Sequence, residues 1–196
     1  MSHYYSQVQE SDLALKKIHA VLRGKRFSFF TGSGVFSKDK VDYGTTVLVN
    51  YMEIKKNDTV LDLGCAIGVV GCVAATLTQG KVILVDVNVR AVQLAKKNSF
   101  PYKNVQVLHS DSYEKISEEK FDVILLNPPQ SAGKKLCFAM IEEAKKHLSS
   151  QGSLQVVARH NKGGEVLSKH MEEVFGNLST LAKKGGYRVY KSVCIV

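Results

Sequence analysis

Between residues 59 and 158, short apolar runs alternate with stretches that have the period of an amphipathic helix. That alternation restricts the chain to an α/β fold built on a parallel sheet. Strands are expected at 59–64, 81–86, 105–109, 122–126 and 153–158, and helices at 69–77, 89–98, 134–148 and 164–175. Two further strands, 178–183 and 187–193, flank Lys183-Lys184-Gly185-Gly186 and read as an antiparallel hairpin. Ahead of the alternation, Leu13, Leu15, Ile18, Val21 and Leu22 share one face of an expected helix over 12–22. An edge strand at 27–31, a polar loop bearing Phe36 and Tyr43, and a helix at 45–52 follow.

The 196 residues suffice for one well-buried core. With 44% hydrophobic and 23% charged residues and only three prolines, the chain is globular rather than disordered. Twenty-seven Lys and Arg against eighteen Asp and Glu give +9, which favours an anionic partner such as RNA. The four cysteines, Cys65, Cys72, Cys137 and Cys194, form no Cys-x-x-Cys pair and no Cys/His cluster with zinc spacing. They read as reduced core residues, and no metal site is expected. A polar N-terminus and the lack of an apolar run of about eighteen residues point to a cytoplasmic protein with no membrane partner.

Chemistry concentrates where the strands stop. Asp122-Val123-Ile124-Leu125-Leu126 ends on Asn127-Pro128-Pro129, and two successive prolines supply no N–H and hold φ near −65°, so the sheet ladder cannot continue. The Asn127 oxygen beside a freed carbonyl makes a pair of acceptors suited to the two hydrogens of an amino group on a flat ring. Gly64, Asp86, Asp111 and Asn127 close four successive strands, and an open α/β sheet binds its ligand along that edge. Asp86, about twenty residues beyond the glycine turn, stands where a carboxylate accepts hydrogen bonds from ribose hydroxyls.

The turn narrows the ligand further. A dinucleotide pyrophosphate calls for Gly-x-Gly-x-x-Gly, whereas the spacing here is Gly64-x-Ala66-x-Gly68. S-adenosylmethionine is a nucleoside ligand without phosphate. Its methionine part would lie near Asp62, Gly64, Cys65, Ala66 and Gly68, its ribose on Asp86, and its adenine near Asp111 under apolar cover from Ile67, Leu84 and Val87.

These residues carry a resemblance. Asp62-Leu63-Gly64-Cys65-Ala66-Ile67-Gly68, then Asp86, Asp111 and Asn127-Pro128-Pro129, resembles the S-adenosylmethionine-dependent methyltransferases of the small-domain branch. That group includes the ribosomal RNA small subunit methyltransferase C family, which methylates a guanine amino group of 16S rRNA, and its stand-alone archaeal relatives. Ser33-Gly34-Val35-Phe36-Ser37 with Asp42-Tyr43-Gly44-Thr45 is similar to that family's entry segment, and 186–191 to its terminal strand. The resemblance implies a Rossmann-like, seven-stranded, mostly parallel sheet ending in an antiparallel hairpin, with helices on both faces. It also implies a catalytic domain over 25–196 behind an N-terminal tail and helix over 1–24, without the extra N-terminal domain of the bacterial members.

By the same resemblance, Asn127, Pro128 and Pro129 are the catalytic segment, with Asn127 also touching the cofactor. Transfer to an exocyclic amino nitrogen of guanine in ribosomal RNA is the implied reaction. The family places an aromatic after Asn-Pro-Pro where this chain has Gln130, so base stacking passes to Phe30, Phe36 or Tyr43. Phe36, Tyr43, Gln130, Lys134 and Arg188 are the expected substrate contacts, and Lys135, Arg159, Lys183 and Lys184 are further candidates for phosphate. Two alternatives stay open: methylation of a protein glutamine amide, and a nucleotide-dependent oxidoreductase or binding module on the same sheet.

Overall fold

The computed structural model describes residues 14–129 and 133–195. A hairpin of β1 (Lys16–Leu22) and β2 (Lys25–Thr31) precedes α1 (Tyr43–Tyr51). The alternating part runs β3 (Val60–Leu63), α2 (Val69–Ala74), β4 (Val82–Asp86), α3 (Val89–Ser99), β5 (Val105–His109), β6 (Phe121–Leu126), α4 (Lys134–His147), β7 (Leu148–Arg159) and α5 (Gly164–Phe175). It closes on β8 (Ser179–Lys184) and β9 (Tyr187–Val193).

The seven-stranded sheet has the order β5-β4-β3-β6-β7-β9-β8. Its first four pairings are parallel and its last two antiparallel, as expected. Strand side chains alternate between two cores. Val60, Val82, Leu84, Val123 and Leu125 pack with α1, α2 and α3, whereas Leu61, Leu63, Ile83, Val85, Ile124 and Leu126 pack with α4 and α5. Helices cover both faces, so the central strands are apolar on both sides. The chain steps from β3 through β4 to β5, then crosses back to lay β6 on the other flank of β3. The reversal opens a crevice at the carboxyl ends of β3 and β6.

The helix expected over 12–22 is a strand where the structure describes it. Lys16–Leu22 pairs antiparallel with Lys25–Thr31 in a separate two-stranded sheet. Ile18 and Leu22 are buried, but Leu15 and Val21, which a helical face would cover, are 51% and 63% exposed. Residues four apart satisfy both a helical and a period-2 repeat, and here the neighbouring aromatic strand selects the second. Positive φ at Arg23 and Gly24 makes the tight turn between the strands, so the expected boundary at 24/25 falls in that turn. The Arg23 guanidinium reaches over to α1 and donates to the carbonyls of Val49, Asn50 and Met52, capping the helix end.

Other boundaries moved less. Helix α1 starts at Tyr43 rather than 45, because Asp42 caps it by accepting from the Thr45 N–H at 3.1 Å. Strand β7 begins at Leu148, ahead of Gln151-Gly152, which lies within it where the pairing with β6 shifts register.

Candidate functional site

The crevice at the sheet reversal has a volume of about 330 Å³. Its floor is the turn between β3 and α2. Gly64 and Cys65 donate their N–H groups to the Val85 carbonyl at 2.9 Å each, and the Gly68 N–H closes the turn on the Cys65 carbonyl at 2.8 Å. Gly64 has φ +72, and a Cβ there would meet nothing within 4 Å, so it opens the floor for a ligand to approach the backbone. Ala66 also lies in the left-handed region, at φ +50. A residue with a Cβ holds that conformation only where its surroundings enforce it. Here the enforcing group is Asp86, whose Oδ2 accepts from the Ala66 N–H at 2.8 Å. Gly68, also among the expected cofactor contacts, is the N-cap of α2 and is packed over Leu84 and Ala95. At Gly71 a Cβ would stand 2.5 Å from Leu84, so α2 rests directly on β4. Leu84 is therefore consumed beneath the helix rather than exposed to the crevice, contrary to the apolar cover expected of it. Ile67 and Val87 do line the crevice.

Two buried carboxylates brace this floor. Asp86 accepts from Ala66 through one oxygen and from the Asn88 N–H through the other, at 2.8 Å each. Asp62, also on the crevice wall, accepts from the Gly71 N–H at 2.8 Å. Burial pushes its carboxyl up to about 7, against the pull of the Gly71 N–H and with the Asp86 charge adding to the rise. Burial likewise holds the Cys65 thiol well above its ordinary value, so this cysteine is an inert wall rather than a nucleophile. Asp111 is exposed at the rim, and Ser110 beneath it is buried, its N–H donating to the Asp86 carbonyl at 3.1 Å.

Asn127, Pro128 and Pro129 form the opposite wall. The Asn127 amide nitrogen donates to the Thr45 hydroxyl oxygen at 3.0 Å. Thr45 is buried in the first turn of α1, where the Asp42 cap fixes it. The carbonyl oxygen is then the end of the Asn127 amide left to serve the crevice, as an acceptor.

The expected substrate contacts divide. Phe36 lines the crevice, and Tyr43 packs edge-on against Tyr187, a lining residue, at 5.7 Å between ring centres. Lys134 is exposed at the start of α4, outside the lining. Arg188 is turned away: it lies on the strand face carrying Tyr190, beside Tyr190 and Glu165 of α5. Its neighbour Arg159 on β7 reaches the crevice instead. Gln130 lies outside the described residues.

Sequence reasoning missed two positions. Thr45 reads from the sequence only as the first residue of a helix, and nothing local ties it to a residue 82 positions later. Asn98 accepts from the Phe30 N–H at 2.7 Å and donates to the carbonyls of Phe30 and Ile67 at 2.9 Å each, fastening the hairpin to the crevice floor. Its signal was present, since an asparagine four residues after Leu94 falls on the inward face of α3.

A model of the methyltransferase small domain matches residues 26–191. The chain belongs to that family. It is 35% identical to the Bacillus subtilis protein YbxB over 97% of both chains. It is also 35% identical to ribosomal RNA small subunit methyltransferase C of Haemophilus influenzae, over 80% of this chain and 48% of the relative. The chain thus spans about half the length of the methyltransferase C relatives it matches. Among solved structures, the T. thermophilus 16S rRNA N2 G1207 methyltransferase, in complex with AdoMet and guanosine, superposes with a TM-score of 0.80 at 26% identity, over 95% of this chain and 52% of that one. A Pyrococcus furiosus methyltransferase, 19% identical with a TM-score of 0.65 over 74% of this chain and 78% of that one, shares the fold. The resemblance read from the motifs and the sheet it implied are both borne out. S-adenosylmethionine, the expected cofactor, is the methyl donor bound in the T. thermophilus structure. Among the described residues, no helix is long and apolar enough to cross a membrane.

Proposed function

We propose that this protein transfers a methyl group from S-adenosylmethionine to an exocyclic amino nitrogen of a nucleobase in RNA, with guanine of ribosomal RNA as the acceptor. The observation that carries this reading is the Asn127 amide, held by Thr45 on the crevice wall opposite the glycine turn, with Pro128 beside it.

The residues present fit the cofactor. Gly64 leaves open space above a backbone that no side chain obstructs. Asp86 would hold the ribose, since a carboxylate oxygen accepts more than one hydrogen bond and can serve backbone and ligand together. Gly64, Cys65 and Ala66 would cradle the methionine end with Asp62 beneath them and Gly68, outside the lining, closing the turn; Ile67 and Val87 would cover the adenine, and Asp111 would accept from its amino group. Bound there, S-adenosylmethionine supplies an electrophilic sulfonium methyl group.

The chain's own part is alignment. The Asn127 oxygen and the Pro128 carbonyl would accept the two amine hydrogens and favour the pyramidal nitrogen whose lone pair is no longer shared with the ring. No strong base is needed, because the nitrogen becomes acidic only after methylation and its proton can pass to water; placement accounts for most of the rate. A paired base cannot reach such a wall, so the target is unpaired or flipped, with Phe36 and Tyr43 near the mouth as stacking faces. Residues 25–196 would be the catalytic unit in this reading.

The test is transfer of labelled methyl to total RNA from cells lacking this protein, beside ribosomal subunits and total protein from the same cells, with Asn127→Ala as control. Label in RNA, mapped to a guanine, is the expected result. Label confined to protein would replace this reading with glutamine-amide methylation.

A further inference from the structure

The charge of this chain is not spread over it. Residues 16–31 and 89–104 carry nine of the 27 Lys and Arg and none of the 18 Asp and Glu, so the rest of the chain is balanced and the whole net charge of +9 lies on these two segments. The first is the β1–β2 hairpin and the second is α3 with the residues that follow it, and the fold packs them together. Asn98 of α3 bonds the backbone of Phe30 on both its N–H and its carbonyl. The Lys97 and Lys17 ammonium groups stand 4.1 and 5.2 Å from the Phe30 ring centre, one from each segment.

The hairpin's inward residues, Ile18, Leu22 and Phe29, are buried in the core. Its outward face holds Lys17 opposite Phe30 and Arg26 opposite Val21. Lys96 and Lys97 continue it on α3, and just past the helix Phe100 is 88% exposed. Lys16 is paired with Asp39, but among the described residues Lys17, Arg26 and Lys97 have no carboxylate partner. Cations held close together without acids repel one another, and an anion of matching extent relieves that cost. A basic surface with an exposed aromatic ring at its edge fits a polynucleotide, whose phosphates meet the cations and whose unpaired bases stack on the ring. An acidic protein surface offers no such partner to Phe100.

We infer that the outward face of the β1–β2 hairpin, with the adjoining end of α3, is a docking surface for the RNA backbone that delivers the acceptor to the crevice. This rests on the reading of RNA as substrate. The covalent path is short: β2 runs directly into the loop whose Phe36 lines the crevice. The surface is also separate from the lysines at 134–135 and 183–184 that the sequence alone suggested.

The test compares the triple variant Lys17→Gln/Arg26→Gln/Lys97→Gln with an equal-charge control, Lys55→Gln/Lys56→Gln/Lys120→Gln, whose residues are exposed elsewhere. Binding of a short mixed-sequence single-stranded RNA is followed between about 50 and 200 mM salt. The surface variant should bind at least roughly 10-fold more weakly and lose about 2 from the slope of log affinity against log salt, while the control changes little. Phe100→Ala, which removes a ring and no charge, should weaken binding roughly 5-fold or more and leave that slope intact. Wild-type affinity in the surface variant, or equal losses in both triple variants, would overturn the inference. So would equally tight binding of polyglutamate, which would make the partner an acidic protein. Binding needs no turnover, so a wild-type protein that holds RNA here without methylating it would defeat the functional reading alone. Normal methylation of RNA by a surface variant with full affinity would defeat the surface alone.

Discussion

The Asn127 amide donates to the Thr45 hydroxyl at 3.0 Å, and this bond decides which end of the amide faces the crevice. Without this bond the amide can turn, and its NH2 group would then face the incoming amine and repel it. Thr45→Val keeps the shape and removes the acceptor, at a cost of about 1.5 kcal/mol, or roughly 10-fold in rate. The expected outcome is a lower kcat with unchanged cofactor affinity, restored by Thr45→Ser. Asn127→Ala should slow transfer on the order of 100-fold, and adding Thr45→Val to it should do nothing more. A Thr45→Val enzyme turning over at the normal rate would show that the bond does not position the amide.

Asp86 is expected to be needed twice over. Its carboxylate holds the Ala66 and Asn88 N–H groups, and in the proposed complex it also holds the ribose. Asp86→Ala should therefore cost about 2 to 4 kcal/mol of stability, from one buried and one part-buried donor left without an acceptor, and abolish cofactor binding as well. Thermal melts with and without S-adenosylmethionine check both halves. The variant should melt lower and show no further rise with ligand, and a variant still stabilised by ligand would remove Asp86 from the cofactor site.

What could be read from the residues alone follows the range of the interactions. Gly64, Asp86 and Asn127 each end an apolar run, so a local pattern announces both the strand and its stop, and the handed crossover rule brings the stops to one edge. The hairpin was misread because Ile18 and Leu22 fit two periods, and the deciding partner, Lys25–Thr31, lies beyond the window that shows the pattern. Arg188 and Arg159 could not be told apart either. Adjacent strands pair Arg159 with Tyr187, so the face each side chain takes depends on a register that no single strand displays. Bonds such as Asn127 to Thr45 join residues far apart in the chain, and only the folded arrangement contains them.

Asp62 should make stability depend on pH. Its carboxyl is raised to about 7 in the folded protein from 3.8 when unfolded. Between those values the folded state keeps a proton that the unfolded chain has lost, so the folded state binds more protons and stability falls as pH rises. The contribution is complete below about pH 4 and gone above about pH 7, with a total on the order of 4 kcal/mol. Asp62→Asn retains an oxygen for the Gly71 N–H and cannot ionise. Urea unfolding at pH 4 and pH 8 should show the wild type losing several kcal/mol relative to this variant, whereas parallel losses would mean that Asp62 ionises normally inside the fold.

Asn98 is where a mutation in the last turn of α3 should be felt in both the hairpin and the crevice floor. Its amide makes three bonds, one with the Phe30 N–H and one each with the carbonyls of Phe30 and Ile67. Asn98→Ala strands these backbone groups and should cost about 2 to 4 kcal/mol, lowering Tm by roughly 5 to 12 °C in a chain of this size. Asn98→Asp should be worse than alanine. It keeps an acceptor for Phe30 but turns a carboxylate on two carbonyl oxygens that had been receiving hydrogens. Because Ile67 belongs to the crevice floor, cofactor affinity should fall along with stability in both variants. Calorimetric melting and a cofactor titration on the same samples separate the effects, and an Asn98→Ala protein as stable as the wild type would mean that water replaces all three bonds.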